Sequence, residues 1–383
     1  MPNYVKADIS QKADVLDFVN YVFSYAHCPH DMKRMVPKIY EDDANSMDVT
    51  HYLAMEEDRI KAVVSLLVTE VQVGDQILKY GFIGNVAVHP YSKGKGYMKA
   101  LLKLAIEDSQ NGGVDIMALG GQRQRYGYFG FEHAGADYHF SINQNNIRHA
   151  MKDIACDGIT FDWITDPEAA EIDVAKALYE KRPVHALRPR KEFLHIMHSW
   201  QNEFHAVKKD GRMIGYVYGN LNELVLENDG DLPQVIKAWF AQGRANAADV
   251  AVPPYDRERI AFFSHLCESM SVNPVERVRV LNWEKILQVM LQFKHEYCPL
   301  QDGEVEFGVE NEAFRMKVQG GKVSVDKVGE LDSLTEITRE TIPTYTQNEA
   351  EMLFFGLQNT LTPQAAYKNW LPIPFFVDTP DKF

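Results

Sequence analysis

The chain has 383 residues, enough for two or three domains at the usual ~100–200 residues each. Its apolar share of 45% and charged share of 25% are those of a globular protein, which argues against a disordered or fibrous chain. A net charge of -14, from 40 basic and 54 acidic side chains, disfavours a nucleic-acid partner and favours cationic ligands.

The N-terminus, the apolar runs and the cysteines together predict a cytoplasmic protein without membrane contact. The first residues lack the apolar core of a signal peptide, and no apolar run approaches the ~20 residues that span a bilayer. The four cysteines are scattered, without a C-x-x-C pair, which is typical of reduced thiols. His27, Cys28 and His30 lack the further ligands that a zinc site needs, so we expect no metal.

The first segment begins with a predicted helix and continues with strands. Ser10 or Asp8 can cap this helix. Its apolar residues follow the i, i+3, i+4, i+7 spacing of one buried face; they are Val15, Phe18, Val19 and Val22. After an acidic run, Glu41 to Asp43, which is either a solvated loop or a contact for a cationic substrate, three strand-like runs follow. They are Ile60–Val71, Gln76–Phe82 and Ile83–Val88.

A second helix and a buried strand complete this segment. The helix follows Gly96 and carries an apolar face at helical spacing, formed by Met98, Leu101, Leu102 and Ala105. The strand Asp115–Leu119 ends at a pair of glycines. We predict an α/β domain with a mixed sheet over residues 1–150, because the elements follow the order helix, antiparallel strands, strand, helix and strand.

The middle segment, residues 151–285, resembles the first. The stretch 206–214 reads as a strand–turn–strand junction like that at 54–60, which indicates either a duplication or the same turn chemistry used twice. The strand Leu224–Leu226 leads into Asn228-Asp229-Gly230-Asp231, an acidic turn that would repel phosphate.

The last segment, residues 286–383, alternates apolar and polar residues and predicts an antiparallel meander. A capping box, Thr346 to Glu349, precedes a short apolar helix at Met352–Leu357. The tail, residues 371–383, is apolar and rich in proline, and we expect it to dock on the rest of the chain.

One loop carries the chemistry. Between the strand that ends at Val88 and the next helix lie Gly94 and Gly96, with Lys93 and Lys95 beside them. Backbone N–H groups at a helix N-terminus bind anions, and glycine lets a phosphate approach them. An ordinary strand–helix turn is the alternative. The loop matches neither a Walker motif nor a Rossmann fingerprint.

A second stretch, Leu119 to Glu132, places Gly120-Gly121 after a strand and ends in Gly130-Phe131-Glu132. With the glycine loop before it, this stretch resembles the GNAT family of acetyl-CoA-dependent N-acetyltransferases. The three-part chain resembles the enhanced-intracellular-survival (Eis) type of that family. The resemblance implies an α/β fold with a GNAT mixed-sheet domain (1–150), a degenerate GNAT-like domain (151–285) and a C-terminal α+β sterol-carrier-like domain (286–383).

The resemblance also implies roles for particular residues. The strand residues Val86, Ala87 and Val88 would present backbone groups to the pantetheine arm of acetyl-CoA. The pyrophosphate would lie on the glycine loop and the helix start, formed by Lys93, Gly94, Lys95, Gly96, Tyr97, Met98 and Lys99. Gly121 and Gln122 would flank the cofactor from the next strand. Tyr91 stands where the family has Gln or Arg, a departure from its usual loop.

Two further roles concern proton transfer. Tyr126 matches the tyrosine that protonates the departing thiolate, with Tyr128 as the alternative. The terminal carboxylate of Phe383 matches the group that takes a proton from the amine; the alternative is that its ring fills an apolar groove.

The predicted function is acetyl-CoA-dependent acetylation of a primary amine on a small cationic acceptor: an aminoglycoside, a polyamine or a lysine side chain. The rival hypothesis is a lipid- or ligand-binding protein that uses the C-terminal domain and carries an inactive acetyltransferase remnant. The resemblance further implies a homo-oligomer, such as a hexamer.

Overall fold

The computed structural model describes residues 2–41, 47–333 and 342–383. Asp42 and Asp43 of the acidic run lie outside these ranges. The first region contains β1 (Asn3–Lys6), α1 (Lys12–Ala26), α2 (Met32–Met35), α3 (Pro37–Tyr40), β2 (Val49–Glu56), β3 (Arg59–Val73), β4 (Gln76–Val88), α4 (Tyr97–Asn111), β5 (Ile116–Leu119), α5 (Arg123–Tyr126), β6 (Glu132–Ala134), β7 (Asp137–Asn143) and α6 (Gln144–Ala150).

The remaining elements belong to the middle and last regions. The middle region contains β8 (Ile159–Trp163), α7 (Ala170–Tyr179), β9 (Val184–Ala186), α8 (Arg190–Met197), β10 (Phe204–Lys209), β11 (Arg212–Tyr218), β12 (Glu223–Leu226), α9 (Leu232–Ala241), β13 (Ala247–Val252), α10 (Arg257–Leu266), β14 (Ser269–Asn273) and β15 (Glu276–Val280). The last region contains α11 (Trp283–Tyr297), β16 (Gly303–Val309), β17 (Glu312–Gln319), β18 (Lys322–Glu330), β19 (Thr344–Tyr345), α12 (Gln347–Phe355) and α13 (Gln358–Leu361).

The first sheet confirms the predicted mixed α/β arrangement. Its strands run β1-β2-β3-β4-β5-β15-β6, and β9 pairs with the outer part of β3. Strands β1 to β4 are antiparallel, whereas β4 and β5 are parallel. The apolar face of α4 packs on one side of this sheet, and α1 packs on the other through Val15 and Val19. The predicted runs at 76–82 and 83–88 form one continuous strand.

The middle region repeats this strand order. One sheet runs β12-β11-β10-β8 and a separate one runs β13-β7-β14. Placed end to end, the strands follow the order of the first sheet, with β8, β10, β11, β12, β13 and β14 in the places of β1 to β6. This shared topology favours duplication over a coincidence of turn chemistry.

The two regions exchange a strand. β15 lies between β5 and β6 of the first sheet, and β7 lies between β13 and β14, each antiparallel to both neighbours. Each exchanged strand thus completes the sheet of the other region. The domain boundaries at 150/151 and 285/286 stay predictions. Two sheets cross the first boundary: the first sheet contains β9 and β15 from the middle region, and the sheet β13-β7-β14 contains β7 from the first region.

The last region confirms the predicted meander. β16, β17 and β18 are consecutive antiparallel neighbours, and β19 pairs in parallel with β16. Helix α11 contacts β18, and its buried face joins the largest apolar core. Thr346 caps α12 in a capping box, so this helix begins five residues before the predicted Met352. Asp8 caps a single helical turn, Ile9–Gln11, and α1 begins after it.

Within the described ranges, no helix combines the length and the apolar character that crossing a membrane requires.

Candidate functional site

The cleft of the first region lies where β4 and β5 part. Their parallel pairing runs from Tyr80↔Ile116 to Phe82↔Ala118 and stops there. A cavity of about 230 Å³ opens at this point. Its lining comes from both strands, from β15 and from the tail, and consists of Phe82, Ile83, Leu119, Gly120, Trp200, Glu276, Thr379, Lys382 and Phe383.

A β-bulge in β4 lies beside this cleft. Val63 pairs with Ala87 and Ser65 with Gly84, so β4 carries one more residue than β3 over this stretch. The extra residue coincides with Asn85, whose φ is 47°, and its amide donates to the hydroxyl of Tyr40. No strand in the described part of the chain pairs with the β5-facing edge of β4 beyond Phe82. Backbone groups of Val86, Ala87 and Val88 therefore lie on a strand edge beside the cleft.

The glycine loop has the geometry of an anion site. Gly94 and Gly96 both have φ of +82°, a conformation that favours glycine, and a Cβ on either would meet no atom within 4 Å. Helix α4 starts directly after Gly96, without a side-chain cap and without an acidic residue in its first turn. Its first N–H groups and its dipole therefore face open space beside the loop.

The lysines of this loop differ in their contacts. Lys95 forms an ion pair with Glu56, with 3.2 Å between Nζ and Oε2, and the Tyr97 hydroxyl donates to the same carboxylate. The Lys99 ammonium donates to the hydroxyl of Tyr128 and lies 4.2 Å from its ring centroid. Lys93 is exposed. All three ammonium groups belong to the predicted pyrophosphate region.

The two candidate acids have different surroundings. Tyr126 is 5% exposed and its ring packs against Gly121, where a Cβ would overlap it. Burial raises the pKa of Tyr126, so the hydroxyl keeps its proton at neutral pH. Tyr128 is 67% exposed, and the hydrogen bond from Lys99 lowers its pKa. Tyr126 is thus the buried one of the pair and Tyr128 the exposed one, and the role of Tyr126 as the acid, with Tyr128 as the alternative, stays a prediction.

Phe383 reaches the cleft because the tail docks. Leu371, Ile373, Phe375 and Val377 are buried, which confirms the predicted docking. The ring of Phe383 stands over Gly84 so closely that a Cβ there would overlap it. This ring contact connects the tail to the strand that carries Val86, Ala87 and Val88.

Three residues near Phe383 were missed by the sequence reasoning. Trp200 lines the cavity from a helical turn at 199–201 and adopts φ of 62°, which is uncommon for a residue other than glycine. Glu276 lines it from the exchanged strand β15 and lies 3.5 Å from the Lys382 ammonium. Lys38 is fully buried and donates to the tail. The one signal in the sequence is the set of charged residues in the tail, Asp378, Asp381 and Lys382, which predicts partners of opposite charge elsewhere in the chain.

In the described part of the chain, no cluster of three or more His, Cys, Asp or Glu side chains is arranged to hold a metal ion.

The part of the site that comes from the first region lies in a stretch that matches a known family, whereas Trp200, Glu276 and the tail lie outside that stretch. Residues 3–134 match the family model described as an acetyltransferase (GNAT) domain. The first region is therefore an acetyltransferase domain of the GNAT type. A comparison with curated proteins found no match.

Solved structures are similar over the whole chain. A GCN5-related N-acetyltransferase from Anabaena variabilis has a TM-score of 0.69 at 16% identity, with 100% of both chains covered. One from Kribbella flavida has 0.65 at 16%, covering 100% of this chain and 99% of that one. Eis1 from Mycobacterium abscessus has 0.65 at 13%, with 100% of both covered. The chain shares the fold of these proteins.

Proposed function

We propose that the protein is an acetyl-CoA-dependent N-acetyltransferase that acts on a primary amine of a cationic acceptor. The observation that carries this proposal is the junction of β4 and α4. A strand edge that no described strand pairs with leads into two glycines at φ of +82° and an uncapped helix N-terminus.

The residues around this junction suit acetyl-CoA. The N–H groups of Tyr97, Met98 and Lys99, with the loop Lys93 to Gly96, would hold its pyrophosphate. The edge of β4 at Val86 to Val88 would accept the amide groups of its pantetheine arm, and Gly121 with Gln122 would flank it on the β5 side. Bound there, acetyl-CoA supplies the thioester carbonyl that the amine attacks.

Two groups of this chain would move the protons. As the C–N bond forms and the C–S bond breaks, Tyr126 Oη donates its proton to the leaving sulfur. Between groups of ordinary pKa, a tyrosine near ~10 and a thiol near ~8.5, this transfer is uphill by about 2 kcal/mol. Because burial raises the pKa of Tyr126, the transfer from Tyr126 is uphill by more than this. The carboxylate of Phe383 takes the proton that the amine nitrogen loses. A backbone N–H of β4 would stabilise the oxyanion formed on attack.

The cleft suits a cationic acceptor. Trp200 offers an aromatic face, on which a desolvated cation gains about 2 kcal/mol. Glu276, on β15, adds a carboxylate that lies 3.5 Å from the Lys382 ammonium, so an acceptor amine would compete with Lys382 for it. The acidic composition of the chain favours the same acceptors over anionic ones.

An amine screen tests the proposal. Acetyl-CoA is mixed with the protein and with polyamines, aminoglycosides or lysine peptides, and free CoA is measured with a thiol reagent. We expect CoA release that depends on an amine, with the acetylated product seen by mass spectrometry. Matched polyols without an amino group serve as controls. Equal CoA release with polyols, or no release with any amine, would contradict the proposal.

We also propose the finer features that the resemblance implies. The full-length similarity to Eis1 supports the Eis type, and the four-stranded last sheet with α11 and α12 suits a sterol-carrier-like domain. A homo-oligomer, such as a hexamer, is tested by sedimentation velocity; a monomer at micromolar concentration would contradict it.

One observation favours the rival function. A cavity of about 520 Å³ lies between the middle and last regions, lined mainly by apolar side chains such as Ile260, Val272 and Ile373. A ligand-binding protein with an inactive remnant would gain no thermal stability from acetyl-CoA. A rise in Tm at saturating acetyl-CoA therefore separates the two functions in favour of the transferase.

A further inference from the structure

A buried lysine of the first region holds the residues that precede Phe383. Lys38, on α3, is 0% exposed. Its ammonium donates to the carbonyl of Pro380 at 2.7 Å and to the carbonyl of Lys382. The second of these carbonyls belongs to the peptide unit that joins Lys382 to Phe383.

A second anchor holds the same residues from the middle region. Asp381 accepts hydrogen bonds from Arg188 at 2.7 and 2.9 Å and from the Tyr179 hydroxyl at 2.9 Å. Asp378 accepts from Arg182 at 2.7 Å. All of these carboxylates and both guanidinium groups are largely withdrawn from solvent. Residues 378–382 are thus fixed on both sides, in the short stretch that ends at the cleft.

Stability alone is a weak explanation for this arrangement. Burial lowers the pKa of Lys38 to about 7, an effect that the negative charge of Asp381 partly offsets. Withdrawing charged groups from water costs free energy, and apolar residues of similar size often stabilise a fold at least as much as buried ion pairs do. The position of the Lys38 contacts is more informative, because the ammonium binds backbone carbonyls next to Phe383.

We propose that Lys38 is a positioning residue for acetyl transfer, which sets Phe383 in the cleft by fixing the peptide unit before it. This inference rests on the proposed function, in which Phe383 acts on the amine. The Phe383 ring packs on Gly84 so closely that a Cβ would not fit between them. A small shift of the Lys382 carbonyl would therefore displace Phe383 from its position on β4. Lys38 itself lies outside the chemistry and acts through Phe383.

The chain contains a matched control. Lys294, on α11, is 7% exposed and its ammonium also donates to two carbonyls of the tail, those of Trp370 and Pro372, at 2.9 Å each. Burial lowers its pKa to about 8. Its main difference from Lys38 is that the carbonyls it binds, those of Trp370 and Pro372, precede Asp378 and Asp381 in the chain and are not next to Phe383.

The test compares Lys38→Met with Lys294→Met, each with and without a few residues added after Phe383, and the chain without Phe383 is measured separately. Methionine keeps the length of the side chain and removes the donors. We expect Lys38→Met to lower kcat at least tenfold while the Kd for acetyl-CoA changes less than twofold. Lys294→Met should change kcat less than twofold. Lys38→Arg, which keeps donors at this position, should recover part of the lost kcat.

Extension past Phe383 then separates positioning from a general effect on the fold. Residues added after Phe383 turn its carboxylate into an amide and keep the Lys382 carbonyl that Lys38 binds. If Lys38 acts through the Phe383 carboxylate, Lys38→Met should change kcat less than twofold in the extended chain. A full tenfold loss in that background, or equal losses from Lys38→Met and Lys294→Met, would overturn the inference. Circular dichroism and Tm identify any variant that does not fold, and Asp381→Asn then replaces it in the same cycle. An unchanged kcat after deletion of Phe383 would instead contradict the proposed role of Phe383.

Discussion

The protein contains two clefts built on the same strand order, and they differ in what surrounds them. In the first cleft, β4 leads into glycines and an uncapped helix without first-turn acids. In the second, β12 leads into a turn that carries Asp229 and Asp231, and α9 has proline in its first turn, which removes an N–H donor. The shared topology thus supports an anion site only where the loop chemistry allows it.

The second cleft is also filled differently. It holds a cavity of about 320 Å³ between β12 and β13, which do not pair in the described part of the chain. Asp229 is bound there by Arg259, with 2.6 Å between Oδ1 and Nη2. The tail passes this cleft at Asp378 and Phe376 and ends in the first cleft at Phe383. The first region contains the glycine loop, and residues of both regions hold the tail.

The largest effect should come from a charge in the first glycine loop. Gly96→Glu places a carboxylate where the pyrophosphate would lie and forces a side chain into φ of +82°. We expect acetyl-CoA binding to weaken by more than about a hundredfold, from one site per chain to none detectable by calorimetry.

The control for this change lies in the middle region. Gly211 also has φ of +82° with open space around its Cβ position, in the turn between β10 and β11. Gly211→Glu should cost similar stability and leave acetyl-CoA binding intact. A folded Gly96→Glu protein with normal affinity for acetyl-CoA would contradict the proposal that the glycine loop of the first cleft binds the pyrophosphate.

The next largest effect concerns the acid of the first cleft. Tyr126→Phe removes one hydroxyl, so kcat should fall by about 10²–10⁴ while the Kd for acetyl-CoA barely changes. Steady-state kinetics and calorimetry on the same preparation measure both. Tyr128→Phe is the control, because its exposed hydroxyl contacts Lys99. Loss of activity in Tyr128→Phe together with normal activity in Tyr126→Phe would show that Tyr128 is the acid.

A smaller effect should follow from extending the chain past Phe383. A few added residues turn its carboxylate into a neutral amide and keep the ring over Gly84. We expect kcat to fall more than about tenfold with the acetyl-CoA affinity retained. An N-terminally extended protein is the control. Full turnover in the C-terminally extended protein would show that the ring serves as a groove plug.

The sequence was sufficient for the features that depend on local chemistry. Gly94 and Gly96 before an amphipathic helix predicted a loop between the strand that ends at Val88 and that helix, and the alternation at 305–325 predicted the last meander. Each of these signals depends on a few neighbouring residues, which propensity and periodicity describe well.

The features that depend on distant pairing could not be predicted in this way. The composition of β7 and β15 is that of ordinary strands. Their exchange depends on the gap that each one fills, between β13 and β14 for β7 and between β5 and β6 for β15. Lys38 lies 344 positions from the Lys382 carbonyl that it binds, and no local pattern connects the two. Trp200 reaches the cleft through a left-handed turn that its neighbours do not signal.

The smallest predicted effect concerns the acid that remains beside the first loop. Glu56 holds Lys95 and the Tyr97 hydroxyl, and this contact raises the pKa of Lys95. Glu56→Gln removes a negative charge near the proposed pyrophosphate site and leaves the Lys95 charge unpaired. Because these groups are largely exposed and screened by salt, we expect acetyl-CoA to bind only about two- to fivefold more tightly, with the gain shrinking at high ionic strength. Glu57→Gln removes an exposed charge from the next position and should change the affinity less. Weaker binding in Glu56→Gln would show that Glu56 instead orients Lys95 toward the ligand.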